Sequence, residues 1–470
     1  MRTLDRYILR NFIISALLWF AVLMSLRIVS DLFVNMDEFT KAKDVAKTAE
    51  MIVRHVGTYY AYHSLAYFRE LGGVIIVAAA AFVLARMNHT NELTAILASG
   101  VSLHRVLLPV VVCAIGLNLL IVLDTEVLIP RFRQQLSRSR DDVEGRDAFH
   151  VRLMIDRADS SWFSRELVPT EQKLMNPVII LRGPRLTYAG KITGPEATYE
   201  PDWGGWAFRP APQAKAPHDI VHPILHVAGW RRAPTTEKIP TRIGPEAVIR
   251  AARADPANAT VRWRDAAAIE PVGVRDRDVN LMIRADGLDL AIDGERVIGT
   301  VLRNARFEYT RDDGRPMAHF VAASAVYDDD PRDPGWLLRD ASLVYVSDLT
   351  PGELALRRSG NWLQYMSTAE MTRLLRLHRS GYAEQAMFVR HARFADFLNN
   401  IILLLVGLPF ILSRERNIKS SAGLALLSVG GAYVFIYLTR YVGLHPAVAA
   451  WLPILVLGPV SALMIDAVKT

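Results

Sequence analysis

Six apolar stretches, gathered at the two ends of the chain, constrain its fold more than any other feature. They fall within residues 11–128 and 394–468, while the middle is rich in charge, Pro and Trp and reads like a water-facing protein. A membrane-spanning helix needs about 20 mainly apolar residues, because hydrocarbon offers the backbone no hydrogen-bond partner outside its own helix. Val106–Leu123, Ser420–Thr439 and Val448–Ile465 carry no charge, and Phe397–Ser413 is slightly shorter and equally clean. Asn11–Leu26 and Leu71–Ala85 reach spanning length only if a charged residue near one end is taken inside. The expectation is a membrane α-helical protein of six transmembrane helices with a large water-facing domain between helices 3 and 4.

Charge placement orients the spans. Arg2, Arg6 and Arg10 precede the first, Arg86 and Arg105 bracket the loop between the second and third, Arg414, Arg416 and Lys419 lie between the fourth and fifth, and Lys469 follows the sixth. With six spans these segments share one side, and short Lys/Arg-rich loops stay in the cytoplasm. Both termini are therefore expected in the cytoplasm and residues 130–390 on the outer side, the periplasm of a double-membrane bacterium. The net charge of +7 invites a nucleic-acid reading, but the basic residues flank spans instead of forming one patch, so no nucleic-acid partner is expected. A cleavable signal peptide is not expected either: the apolar stretch runs past Arg27 to Val34 with no small-residue cleavage site after it. The single cysteine, Cys113, lies in the third span, so the outer domain must fold without an intramolecular disulfide.

Within residues 150–365, short β-like runs such as Val178–Leu181, Leu281–Ile283, Leu288–Ile292, Arg306–Tyr309 and Ser342–Val346 are separated by Gly183-Pro184, Gly194-Pro195, Asp293-Gly294 and Asp313-Gly314. That punctuation predicts a periplasmic β-sandwich or β-jelly-roll-like domain of short strands. The Pro-rich 195–245 stretch predicts an irregular insertion or long loop. Seven of the nine Trp residues fall in this domain, consistent with a well-packed core or with a groove for an apolar ligand. Ser367-Thr368-Ala369-Glu370 has capping-box spacing, and Met371, Leu374, Leu375 and Leu377 continue an amphipathic pattern, predicting a connecting helix over about 367–378.

Enzyme signatures do not appear. The string ending Gly190-Lys191-Ile192-Thr193 has its glycines too far apart for a phosphate-binding loop and Ile where Ser or Thr belongs. There is no G-x-S-x-G elbow or H-E-x-x-H helix, so no catalytic residue and no cofactor is expected on this chain. His218, His222 and His226 are spaced by four, but Pro217 and Pro223 oppose the continuous helix a shared metal would need; ordinary loop histidines, and no metal site, are expected. Asp328-Asp329-Asp330 reads as a solvated turn.

Between spans two and three the chain reads Asn91-Glu92-Leu93-Thr94-Ala95-Ile96-Leu97-Ala98-Ser99-Gly100-Val101-Ser102. Asn91 can cap a short helix from Glu92 to Ala98 that Gly100 ends. Such a helix at about 90–100 is an ordinary connection or a docking element for a soluble partner. The string resembles the coupling-helix motif of LptF/LptG permeases. So do Leu4-Asp5-Arg6-Tyr7-Ile8, Met366-Ser367-Thr368-x-Glu370-Met371, His391-x-Arg393-Phe394-Ala395 and Leu403-Leu404-Leu405-x-Gly407-Leu408-Pro409-Phe410, all in the family's order. The resemblance implies an N-terminal membrane half (1–128), a periplasmic β-rich domain (129–390) and a C-terminal membrane half (391–470). It implies the permease subunit of an ATP-driven exporter in the inner membrane, paired with a second LptF/LptG-type permease and driven by a cytoplasmic ATPase dimer. Lipopolysaccharide or a related anionic glycolipid would leave the outer leaflet and pass to a periplasmic bridge protein. By carry-over, Glu92 would meet a basic ATPase residue, with Leu93, Ala98, Ser99 and Gly100 shaping the docking helix.

Three arginines intrude on the spans. At ~1.5 Å per residue, Arg27 lies about 22 Å along its helix from Phe12, Arg69 about 25 Å from Arg86 and Arg440 about 30 Å from Ser420. All three approach the outer-leaflet boundary, where ionisable groups are costly unless paired or functional. Arg27 can pair with Asp31 at i+4 and Arg440 can reach the interface; alternatively the three bind phosphates of an incoming glycolipid, a task that suits Arg. Exporter permeases of the lipoprotein-release or macrolide type place their outer domain after the first of four spans, unlike this chain. A membrane-anchored periplasmic binding or envelope-structure protein without transport activity is the other reading.

Overall fold

The computed structural model describes residues 3–40, 49–183, 187–212, 220–221, 223–227, 234–254, 268–269, 272–276, 280–293, 296–310, 316–377, 381–411 and 418–466. The chain divides into a helical unit, Met1–Glu144 with Ser359–Thr470, and a β unit, Gly145–Arg358. Both β-unit ends fall inside the 129–390 segment.

The helices are, in chain order, α1 (Thr3–Thr40), α2 (Ala49–His89), α3 (Glu92–Ala98) and α4 (Leu103–Leu123), followed by a π-helical turn Asp124–Leu128 and the one-turn helices α5 (Ile129–Arg131) and α6 (Arg133–Leu136). The β unit carries α7 (Pro245–Ala254) and α8 (Pro351–Arg358); then come α9 (Thr368–Leu377), α10 (Ala383–Ile411), α11 (Ile418–Leu438) and α12 (Pro446–Asp466). Among the described residues, six helical segments are long and apolar enough to cross a membrane: Thr3–Phe39, Ile52–His89, Leu103–Arg131, Ala383–Ile411, Gly423–Tyr441 and Pro446–Met464.

The first two spans are longer than their apolar runs. Helix α1 has 38 residues and α2 has 41, against about 20 needed to cross the hydrocarbon core. Both helices continue through Arg27 and Arg69 because they pack on each other beyond the apolar run. Met24 and Phe39 of α1 meet Tyr59, Tyr60 and Tyr67 of α2 in one buried cluster. At Asn35 the α1 backbone leaves helical geometry (φ −118°, ψ 21°). There the Asn35 amide donates back to the Asp31 carbonyl at 2.9 Å, a local bond that competes with the helix ladder.

Small residues close the membrane core. A Cβ on Gly72 would stand 2.3 Å from Ile121 Cδ1 of α4, and one on Gly73 2.2 Å from Asn400 Oδ1 of α10. The glycine pair thus lets α4 and α10 approach α2, the packing device membranes favour in place of a hydrophobic driving force. Asn400 also donates to Asn118 Oδ1 at 2.9 Å, satisfying two amides away from water.

In the β unit, sixteen strands of the described residues share one antiparallel sheet, a jelly-roll-like domain inserted between the third and fourth spans. Its spine is a meander of Arg296–Thr310, Pro316–Asp328 and Gly335–Val346, paired over most of their length. These strands have 15, 13 and 12 residues, longer than the short strands predicted. Cross-strand pairs such as Phe307–Phe320 carry them through positions where composition alone shows no break. Gly194-Pro195 falls between two strands as expected; Gly183-Pro184, Asp293-Gly294 and Asp313-Gly314 lie wholly or partly outside the described residues.

Among its described residues, the Pro-rich 195–245 stretch forms strands where a loop or irregular insertion was expected. It supplies Glu196–Glu200, Gly205–Arg209, Ile224–Val227 and Lys238–Pro240 to the main sheet. Proline is tolerated because it sits at strand ends: Pro240 is the last residue of a three-residue strand on Gly335–Leu337. The fully buried indoles of Trp162, Trp206 and Trp336 belong to the domain core. Their Nε1 atoms donate to Asp156, to the Leu349 carbonyl and to the Ile243 carbonyl at 3.0, 2.7 and 3.0 Å. Trp230 and Trp263 lie outside the described residues.

Candidate functional site

The loop between α2 and α4 folds as a seven-residue helix whose two faces differ. Leu93 is buried in a cluster with Ile8, Phe12, Met87, Leu103 and Val106, and Ile96 and Leu97 are half-buried beside it. Thr94, Ala95, Ala98, Ser99 and Gly100 are exposed. The helix is therefore pinned by one leucine and turns a smooth face of small side chains to solvent. Its ends are set by backbone geometry. Asn91 takes a left-handed conformation (φ 56°) and makes no side-chain cap bond, so it starts the helix by conformation and not by the side-chain capping the sequence suggested. Asn tolerates that region better than most residues. Gly100 (φ +84°) ends it in a conformation that favours glycine.

Two polar ties hold this end of the unit to the start of α1. Tyr7 donates its hydroxyl proton to Glu92 Oε2 at 2.7 Å, and Arg105 Nη2 pairs with Asp5 at 2.8 Å. Of the five residues expected to form the docking helix, Leu93 points inward, Glu92 is half-buried and engaged by Tyr7, and Ala98, Ser99 and Gly100 face outward.

Each of the three span arginines has partners of its own. Arg27 pairs with Asp31 at 3.3 Å and lies 4.4 Å over the Tyr67 ring. Asp31 is the centre of that group and also accepts from Tyr60 at 2.9 Å and Arg140 at 3.0 Å, while Arg140 reaches Glu38 at 2.9 Å. Arg69 donates to the Gln364 carbonyl at 3.1 Å and to its side-chain oxygen. Arg440 stands 3.6 Å from Asp396. Arg27 and Arg440 keep 38% and 40% of their side chains exposed, which leaves donors open to a further anion.

A second cluster was not assembled by sequence reasoning. Arg393 of α10, only 10% exposed, pairs with Glu126 of the π-helical turn at 2.9 Å. It also donates to the Gln364 carbonyl at 3.2 Å and to the Met366 carbonyl. Glu126 in turn accepts from the Thr368 backbone N–H at 2.8 Å and from its hydroxyl at 2.6 Å. The predicted capping box is present: Ser367 N–H donates to Glu370 at 2.8 Å, Glu370 N–H to Ser367 Oγ at 3.2 Å, and Arg133 pairs with Glu370 at 3.1 Å. Three arginines (Arg69, Arg133 and Arg393) and the Glu126 carboxylate thus clamp residues 364–370. The signal was divided between two motifs, one around Met366–Met371 and one around His391–Ala395, with nothing local to join them. Close by in sequence, Asp124 is 2% exposed and neither carboxylate oxygen has a hydrogen-bond partner.

The remaining polar candidates lie in the β unit. His218 and His222 are outside the described residues, and His226 sits exposed on Ile224–Val227. No group of three metal-ligating side chains occurs among the described residues. Asp328 of the acidic turn pairs with Lys238 at 2.5 Å, which holds its carboxyl below the usual range.

Comparison with known proteins gives the family. The model described as lipopolysaccharide export system permease LptF/LptG matches residues 6–209 and 284–466. No curated protein matches the chain. The matched residues include Glu92, Arg27, Arg69, Arg440 and the Glu126–Arg393 clamp. Because the match covers both membrane halves and enters the β domain from each side, the chain belongs to the LptF/LptG family of lipopolysaccharide export system permeases and is a multi-pass inner-membrane protein.

Proposed function

We propose that this chain is the permease subunit of an ATP-driven exporter that withdraws lipopolysaccharide, or a similar anionic glycolipid, from the outer leaflet of the inner membrane and passes it to a periplasmic bridge. The observation that carries this reading is α3: a short helix between two spans, anchored by Leu93 and presenting Ala95, Ala98 and Ser99 outward. Small exposed side chains let another backbone approach closely. The family match supports an export role, and with no phosphate-binding loop in this sequence the reading assigns ATP hydrolysis to a separate ATPase dimer. A second LptF/LptG-type permease completes the pathway. The basic residues flanking the spans support a topology with both termini and α3 in the cytoplasm and the β domain in the periplasm.

Within this reading Glu92 meets a basic ATPase side chain while Tyr7 holds its other edge. Arg27 and Arg440 contact cargo phosphates through their exposed donors. Arg69, bound to Gln364, acts by positioning the clamp. The test is co-purification. Ala98→Arg places a long charged side chain on the exposed face without touching the fold, and is expected to abolish recovery of the ATPase while leaving thermal stability within about 0.5 kcal/mol. Full ATPase recovery with Ala98→Arg and with Glu92→Arg would overturn the coupling assignment. Neutralising Arg27 and Arg440 together is expected to abolish stimulation of the ATPase by lipopolysaccharide; unchanged stimulation would remove them from the cargo path.

A further inference from the structure

A groove between α1 and α2, at the end of the helices that carries α3, has no role in the export reading. It is lined at one end by Tyr7, Asn11 and Arg86, and further along by the half-exposed Ile14, Leu18 and Phe82, with Ser15 buried beside them. Its volume is about 70 Å³, room for a headgroup-sized moiety and not for a whole lipid. The two ends differ in chemistry. Arg86 is exposed and makes no ion pair or side-chain hydrogen bond among the described residues, and Tyr7 and Asn11 add polar atoms beside it. Ile14, Leu18 and Phe82 are 52%, 47% and 44% exposed.

The polar-to-apolar order runs along the helix axis. From Tyr7 to Leu18 is about 16 Å at ~1.5 Å per residue, close to one leaflet's share of a hydrocarbon core about 30 Å thick. A free anion would satisfy Arg86 and leave the apolar wall unused. A neutral lipid would use the wall and leave Arg86 without its counter-charge. An anionic phospholipid uses both.

We propose that this groove binds an anionic phospholipid from the leaflet next to α3, with Arg86 holding the headgroup phosphate and one acyl chain running along Ile14, Leu18 and Phe82. The inference depends on neither the cargo nor the ATPase. It carries a consequence for α3: Tyr7, in the groove wall, is the residue that donates to Glu92. The lipid headgroup therefore borders the bond that ties α3 to α1, and occupancy steadies it.

Native mass spectrometry of the full-length chain in detergent, with added phosphatidylglycerol, phosphatidylcholine or inorganic phosphate, tests the site. Phosphatidylglycerol is expected to be retained in preference to phosphatidylcholine. Arg86→Gln is expected to weaken its retention about fivefold, the worth of one basic residue at an anionic headgroup. Arg86→Lys should keep most of it, and Arg10→Gln, removing an exposed cation at the same helix end but outside the groove, should change it little. Leu18→Asn should shorten retention without altering headgroup preference. Equal losses from Arg86→Gln and Arg10→Gln, equal retention of the two lipids, or displacement of phosphatidylglycerol by inorganic phosphate would overturn the proposal. Folding of each variant is read in the same experiment from its charge-state distribution, and a misfolded Arg86→Gln passes the decision to Arg86→Lys and Leu18→Asn.

Discussion

Replacing Arg393 with alanine should melt the segment that joins the β domain to the C-terminal spans. The guanidinium is 10% exposed and holds Glu126 at 2.9 Å, the Gln364 carbonyl at 3.2 Å and the Met366 carbonyl. Removing one partner of a buried ion pair costs about 3–5 kcal/mol, because the other charge is left without compensation. Glu126 is 32% exposed, so water recovers part of that cost, and Thr368 continues to donate to it. The loss is then about 3 kcal/mol, at the low end of that range. At about 2–4 °C per kcal/mol for a unit of this size, the melting temperature of the purified chain falls by about 6–12 °C. Glu126→Gln keeps the carbonyl contacts of Arg393 and should cost only about 1–2 kcal/mol. In a double-mutant cycle the two should couple by more than about 1 kcal/mol, as residues sharing one network do. A shift below about 2 °C for Arg393→Ala, or additivity within about 0.5 kcal/mol, would refute the clamp.

Three further outcomes follow from single positions. Gly73→Val should lower stability by about 1–3 kcal/mol through overpacking against Asn400, whereas Gly57→Val on the same helix, with open space around its Cβ, should be nearly silent in the same melt. Asp124→Asn should raise the melting temperature at neutral pH, since it removes an ionisable carboxyl buried with neither oxygen hydrogen-bonded, its burial offset only in part by the nearby Arg69 charge; a fall would show that Arg69 compensates the carboxylate. In the β domain, burial, with Arg306 and Arg284 nearby, holds His319 below its ordinary value of 6.5 despite the opposing charge of Glu308. A histidine with a depressed folded value contributes stability above 6.5 that is lost as pH falls from 6.5 through the lowered value. His319→Gln should flatten that part of the stability–pH curve, and an unchanged curve would exclude the histidine as its source.

How far the sequence carries depends on whether a signal is local. The four uncharged apolar runs were legible because a membrane span needs only its own composition and backbone to satisfy its hydrogen bonds. The boundaries of α3 were legible because Asn91 and Gly100 tolerate backbone conformations other residues avoid; how Asn91 acts, by conformation and not by a side-chain bond, was not. The capping box at Ser367 and Glu370 was legible because its partners lie one turn apart.

The length of α1 was not legible, because what stabilises it past Leu26 is tertiary: Asp31 accepting from Arg140, and Phe39 packed on Tyr59 and Tyr60. The strands inside the Pro-rich 195–245 stretch were hidden for the same reason, since their stability comes from partners such as Gly335–Val346 far along the chain. By itself, then, the sequence determined the six-span plan, the inserted β domain, the short helix between spans two and three, and the family. Only the tertiary structure decided that Arg69 and Arg393 meet at the Gln364 carbonyl and that Tyr7 reaches Glu92. Arg69 and Gln364 are separated by 295 positions in the chain, and a composition or period read along one stretch holds no information about a partner that far away.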